Sequence, residues 1–196
     1  FEVHGIRAMT IGKLVEADKP LIWRGPMAHG AFKQLATQTE WGELDYLIVD
    51  LPPGTGDVPL TLTQLLPVSG AVIVCTPQRV AQDDARRAAR MFEQLGVPIV
   101  GVIENMSSFI DDTGREHDLF GKGGAETMAH TMELNFLGSL AIRTALRINS
   151  DRGTPLANWN DGALGAELDH IARNVAARIS MLSYQGKYIQ PTISVR

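Results

Sequence analysis

An α/β fold built on a parallel sheet is predicted by three features of this 196-residue chain. Three apolar, largely β-branched runs, Tyr46–Val49, Ala71–Cys75 and Val97–Ile103, stop on polar or turn-forming residues, as strands buried on both faces of a parallel sheet do. Amphipathic stretches lie between them, and strand, helix, strand within about sixty residues implies right-handed βαβ crossovers. Two of the runs deliver polar side chains, Asp50 and Asn105, to their carboxyl ends, where open α/β sheets bind ligands.

Composition bounds the rest. The chain is 44% hydrophobic, enough for one sizeable core. A net charge of -4 gives no reason to expect nucleic acid or an anionic membrane as partner. One cysteine excludes a disulfide framework and a complete cysteine metal cluster within one chain. No apolar run approaches the roughly 20 residues of a membrane span, and no secretory signal opens the chain. The expected location is cytoplasmic. The first residue is Phe1 rather than Met, so the chain reads as a piece of a longer one or a processed product.

In order, Gly5–Gly12 predicts a short strand. Pro20–Pro26 is turn-rich, and Pro26 suits the start of a helix running to Thr39 with Met27, Ala31 and Leu35 on one face. Trp23 and Arg24 read as a packed aromatic and a solvated charge in preference to a docking pair. The Tyr46–Val49 strand follows, and Pro52, Pro53, Gly54 and Gly56 forbid its continuation. Thr55 or Asp57 is placed to cap a helix from Val58 to Leu66. Pro77 stops the second strand. Ala81, Ala85, Ala88, Phe92 and Leu95 then mark a helix that Gly96 ends. Its arginines, Arg86, Arg87 and Arg90, are accompanied by Asp83, Asp84 and Glu93 and read as a solvated face. After the third strand, Asp111–Gly114 predicts a hairpin turn, Ala125–Met132 a short helix, Phe136–Leu140 a strand, and Ile142–Ser150 loop and short helix. Leu164, Leu168, Ile171, Val175 and Ile179 form the apolar stripe of a closing helix. Residues 1–182 are expected to form one domain, with 183–196 as a tail.

Asp50 has two readings. In phosphate-binding folds a carboxylate at this strand end holds Mg²⁺, usually through a water, and a following glycine amide reaches the terminal phosphate. Otherwise it caps the next helix. Asn105 offers donor and acceptor to a purine edge, or is a turn residue. Gly121-Lys-Gly-Gly124 is not a phosphate loop: Gly-x-x-x-x-Gly-Lys-[Ser/Thr] is unmet and no buried strand leads into it. His117 lacks a second His or Cys at ligand spacing. Cys75 sits within an apolar strand and reads as a structural thiol. No Gly-x-Ser-x-Gly elbow appears.

Taken together, Trp23-Arg-Gly-Pro-Met27, Trp41-Gly-Glu-Leu-Asp45, Asp50-Leu-Pro-Pro-Gly-Thr-Gly-Asp57, Thr76-Pro-Gln78, Glu104-Asn-Met-Ser107, Phe120-Gly-Lys-Gly-Gly124 and Asp151-Arg-Gly-Thr-Pro155 closely resemble the Mrp/ApbC family of ATPases, which carry iron–sulfur clusters. The resemblance runs from about Ile6 to about Trp159, plus the closing helix. It implies a three-layer deviant-Walker P-loop NTPase fold of the MinD and nitrogenase-iron-protein type, working as a homodimer with ATP at the interface. Asp50 is then the Walker B carboxylate orienting a Mg²⁺-bound water, Leu51–Asp57 the second switch, Gly54 the γ-phosphate sensor and Asn105 the adenine-contacting amide. The implied work is binding an iron–sulfur cluster between protomers and passing it to client apoproteins, gated by ATP turnover.

The sequence departs from that pattern twice. The family's Lys-Gly-Gly-Val-Gly-Lys-[Ser/Thr] loop is not in it, nor are the strand and helix that carry it. That loop's amides, lysines and hydroxyl hold the phosphates and Mg²⁺. The chain as given is therefore expected to bind ATP weakly or not at all and not to hydrolyse it, and to show an exposed sheet edge and an apolar scar. Secondly, many members carry Cys-x-x-Cys after Glu-Asn-Met. Here Ser107–His117 holds no cysteine, so no cluster ligand is assignable. The alternatives are a non-catalytic module that keeps the fold for dimerisation or client binding, and a MinD- or ParA-like positioning ATPase.

Overall fold

The computed structural model describes residues 1–10, 12, 25–52 and 57–186. Trp23, Arg24, Gly54, Thr55 and residues 187–196 of the expected tail lie outside them. The described residues form two compact units that divide between Pro67 and Val68.

In the first unit, β1 (Glu2–Val3) and β2 (Ile6–Arg7) pair antiparallel. The expected single strand from Gly5 is thus corrected to a small exposed ribbon. His4 and Gly5 both take positive φ, 53° and 78°, the backbone that closes two-residue hairpins. Helix α1 (Gly25–Thr37) packs with α2 (Asp57–Leu65), close to the expected spans. Between them the strand expected at Tyr46–Val49 is not formed. Tyr46 is 54% and Ile48 88% exposed. A strand exists only through its ladder, and no described strand pairs with this run.

The second unit is the expected α/β arrangement: β3 (Ala71–Cys75), α3 (Arg79–Gln94), β4 (Ile99–Ile110), β5 (Glu116–His117), α4 (Gly124–Thr131), β6 (Phe136–Arg143), α5 (Thr144–Asp151), a 3₁₀ turn at Pro155–Asn160, and α6 (Gly162–Tyr184). Helix α3 ends in a Schellman motif, with Gly96 at φ 74°, its N–H bonded to the Glu93 carbonyl and that of Val97 to the Phe92 carbonyl. Asp161 caps α6 through the Ala163 and Leu164 amides.

Central β4 is flanked in parallel by β3 and β6. It runs seven residues further than the sequence suggests, to Ile110, because β6 continues alongside it and β5 folds back on Phe109 and Ile110. The Asp111–Gly114 turn forms as expected. Pairing puts Ile73, Cys75, Val102 and Glu104 on one face and Val72, Val74 and Ile103 on the other. On the second face Val100, Leu137 and Leu182 form a buried cluster with Ile103, Val175 and Ile179. Ala85, Ala89 and Phe92 of α3, and Ala125, Met128 and Ala129 of α4, are buried as well. Val72 and Val74 remain 36% and 56% exposed, so β3, expected to be buried on both faces, is covered on one. Among the described residues its outer edge pairs with nothing. Among the described residues, β3 thus shows the exposed edge and apolar side chains expected from the sequence.

Candidate functional site

The site grows from the carboxyl end of β3 and the stretch of β4 beside it. Strand β3 stops at Cys75, opposite Glu104, so the next residue, Asn105, stands just past its neighbour's last pair. Here β4 kinks. Met106 takes φ 56°, a left-handed conformation that costs a side-chain-bearing residue on the order of 1–2 kcal/mol. The β4–β6 ladder is irregular from Asn105 to Phe109. The kink has a local compensation: the Met106 N–H donates to Asn105 Oδ1 at 2.9 Å. Asn105 Nδ2 donates to no described residue, and Oδ1 keeps a second lone pair. The side chain can therefore offer both donor and acceptor to a planar ligand edge.

Glu104 was missed by sequence reasoning. It is 3% exposed, an acidic side chain inside the fold. Its Oε2 accepts from the Ala125 N–H at 2.8 Å and its Oε1 from the Gly123 N–H at 3.3 Å. The carboxylate thus sits on the amino end of α4, where free amides and the helix dipole favour an anion. This gives the Gly121–Gly124 run a structural role: the Gly123 amide within it and the Ala125 amide just after it already face an internal carboxylate. The available signal was an acid ending a buried strand, followed 19 residues later by Gly-Gly at a helix start.

The same turn docks on the Thr76-Pro-Gln78 segment. A Cβ on Gly124 would stand 2.2 Å from the Pro77 carbonyl oxygen, so only glycine fits. That carbonyl also accepts from Gln82 Nε2 at 2.7 Å. Three sequence motifs far apart in the chain, Thr76–Gln78, Glu104–Ser107 and Phe120–Gly124, therefore meet at one end of the sheet.

Beyond the kink, the β4–β5 hairpin occupies the segment without cysteines. Asp111 Oδ1 accepts from the Thr113 N–H, the Thr113 hydroxyl and the Arg115 N–H, and Oδ2 lies 2.7 Å from His117 Nε2. These bonds, the Thr113 hydroxyl and His117 first, hold the Asp111 carboxyl well below its usual range. Glu116 is likewise lowered, by the Ser108 hydroxyl and Lys122. His117 has one carboxylate neighbour, and no group of three His, Cys, Asp or Glu fit to hold a metal occurs among the described residues.

Cys75 is buried on the Glu104 face. Burial, then the Glu104 charge, pushes its thiol up to about 11. It is the structural thiol expected, and it does not fit thiolate ligation of a cluster. Asp50 is exposed, and its carboxylate accepts no hydrogen bond from a described residue. It fits an outer contact to a metal-bound water, but a single carboxylate cannot hold the ion. The structure does not bring Asp50 to the end of a formed strand, and Gly54 lies outside the described residues.

Comparisons with known proteins agree with this architecture. The family described as the ParA/NUBPL iron-transfer P-loop NTPase matches residues 1–176. An iron–sulfur cluster carrier protein of Synechocystis is 47% identical over 181 residues, 91% of this chain and 51% of its own length. The Escherichia coli iron–sulfur cluster carrier protein is 43% identical over 195 residues, 98% of this chain and 52% of its own. The mouse iron–sulfur cluster transfer protein NUBPL is 43% identical over 178 residues, 90% and 56% respectively. The chain thus spans about half the length of these relatives. Among solved structures, a nucleotide-binding protein from Archaeoglobus fulgidus in complex with ADP superposes with a TM-score of 0.59 at 38% identity, covering 66% of this chain and 54% of that one. MinD from Pyrococcus furiosus, 17% identical with a TM-score of 0.53 over 79% of this chain and 59% of that one, shares the fold. The parallel sheet with its crossover helices, the meeting of the family motifs at its carboxyl end and the match over residues 1–176 show that this chain belongs to the Mrp/ApbC family of ParA/NUBPL-type iron-transfer P-loop NTPases.

Proposed function

We propose that this chain is the part of an ATP-dependent iron–sulfur cluster carrier that reads the nucleobase and contributes to the metal side of the phosphate site. The family match over residues 1–176 carries this reading, and it supports treating residues 1–182 as one nucleotide-binding domain. Asn105 pairs with the adenine edge through Nδ2 and Oδ1. Asp50 accepts a hydrogen bond from a Mg²⁺-bound water, and the Gly54 amide meets the γ-phosphate. Mg²⁺, when bound, neutralises charge on the phosphates. The working unit is a homodimer that delivers its cluster to client apoproteins. The cluster is cargo, and its thiolate ligands are not Cys75.

The test is calorimetric titration of Mg-ATP into the full-length gene product, with Asp50→Ala as control. Binding weakened at least about tenfold by the substitution is expected for a lost contact at the metal site; unchanged binding overturns the role of Asp50. The 196-residue chain alone should give no detectable heat, and tight binding by it would mean that the phosphate amides lie within these residues. The relatives' names favour the carrier reading over a positioning ATPase or a non-catalytic module.

A further inference from the structure

We propose that Glu104 is the positioning residue for the Asn105 base contact, holding β4 against the amino end of α4 just before the kink so that the carboxamide stays presented; this rests on the nucleotide reading above. Asn105 lies within β4, past the last β3 pair, at its last regular pair with β6 and one residue before the kink at Met106. A strand held on one side there, followed by an exposed left-handed methionine and an irregular ladder, relaxes unless something beside it is fixed. Glu104 is fixed. It is buried, adjacent in sequence, and tied by both oxygens to the Ala125 and Gly123 amides. Those amides belong to a turn that is immobilised in turn, because Gly124 abuts the Pro77 carbonyl with no space for a Cβ. The chain of contacts runs from β3 through Pro77, Gly124 and Glu104 to Asn105. The carboxylate also fills the α4 amino terminus, so a nucleotide phosphate meets no vacant helix end there.

The experiment measures base selectivity, the ratio of dissociation constants for GTP and ATP, in the full-length gene product. A residue needed only for folding lowers thermal stability and weakens both nucleotides alike. A positioning residue changes the ratio. Asn105→Ala should cut the ratio about tenfold by removing the base contact, and Glu104→Gln, which exchanges one acceptor oxygen for a donor, should cut it by at least half of that factor. Gly124→Ala reaches the same clamp from the other side and should act in the same direction. A Glu104→Gln protein that keeps the wild-type ratio while Asn105→Ala loses it overturns the positioning role alone. An Asn105→Ala protein that keeps the ratio overturns the base contact and the positioning role with it. Wild-type protein gives a check independent of variants: with ATP bound, the Ala125 and Gly123 amides should be protected from hydrogen exchange, and free exchange of both overturns the clamp.

Discussion

The stretches Tyr46–Asp50 and Val100–Glu104 look alike in sequence, apolar residues followed by an acid, and they behave as opposites in the structure. Val100 and Val102 are fully buried on a strand paired on both sides, and Glu104 ends in two amide bonds. Tyr46 and Ile48 are exposed on a stretch with no ladder, and Asp50 accepts from no described residue. The difference teaches that an apolar run specifies the wish for burial, while the partners that grant it lie elsewhere in the chain. What makes Glu104 a strand-end acid of consequence is its surroundings.

The comparison breaks most visibly if a side chain packed against the second stretch and one within the first are truncated. Leu137→Ala, in the buried cluster with Val100, should destabilise the chain by about 3 kcal/mol through lost burial and a residual cavity. Ile48→Ala should stay within about 0.5 kcal/mol. Urea unfolding measures both, and equal costs would mean that the Tyr46 stretch is packed after all. Next in size, Gly124→Ala should cost about 1–3 kcal/mol, because a methyl is forced against a backbone carbonyl; thermal melts would show it.

Acidification sharpens the contrast in a third way. Asp111 has a folded pKa below its ordinary value of 3.8. A depressed carboxylate contributes stability that is present above the ordinary value and lost as pH falls through the folded one. The hairpin should therefore hold at neutral pH and loosen only well below pH 3.8, with the Thr113 and Arg115 amides exchanging first. In Asp111→Asn that acid-dependent step disappears. A smaller effect concerns Cys75: with its thiol raised to about 11, native protein at pH 8 should resist iodoacetamide and react fully in denaturant, as mass spectrometry would read. Cys75→Ser should leave reconstituted iron and sulfide content unchanged. Smallest of all, Arg87→Ala, which removes an exposed pair with Asp84, should shift stability by no more than about 0.5 kcal/mol.

Much of the second unit was legible because its signals are local. Pro77 and Gly96 stop elements where their own backbone limits require, and the Ala81–Ala85–Ala88–Phe92 and Val175–Ile179 stripes state their periods within a few turns, although the alanine buried in the third turn of α3 is Ala89 and not Ala88. Asn105 reads as a strand-end amide on the same local grounds; it does stand just past the end of β3, but β4 itself runs on to Ile110. The Glu104 clamp could not, since its donors lie 19 and 21 residues away across a hairpin. The kink at Met106 was hidden too, because methionine carries no preference for left-handed backbone. The run before Asp50 was misjudged as a strand since its ladder depends on segments that its own residues do not specify.

The hairpin tip has one more use. Asp112 to Arg115 are exposed, while β4, before them, pairs with β6, after them, at both ends of its length, from Val102–Phe136 to Ile110–Arg143. A protease cut at Thr113 would therefore yield two pieces that remain one body, and two separately made pieces ending and beginning there should find each other. The tip is a natural seam, the place to open the chain or insert a reporter while leaving the Asn105 stretch of β4 undisturbed.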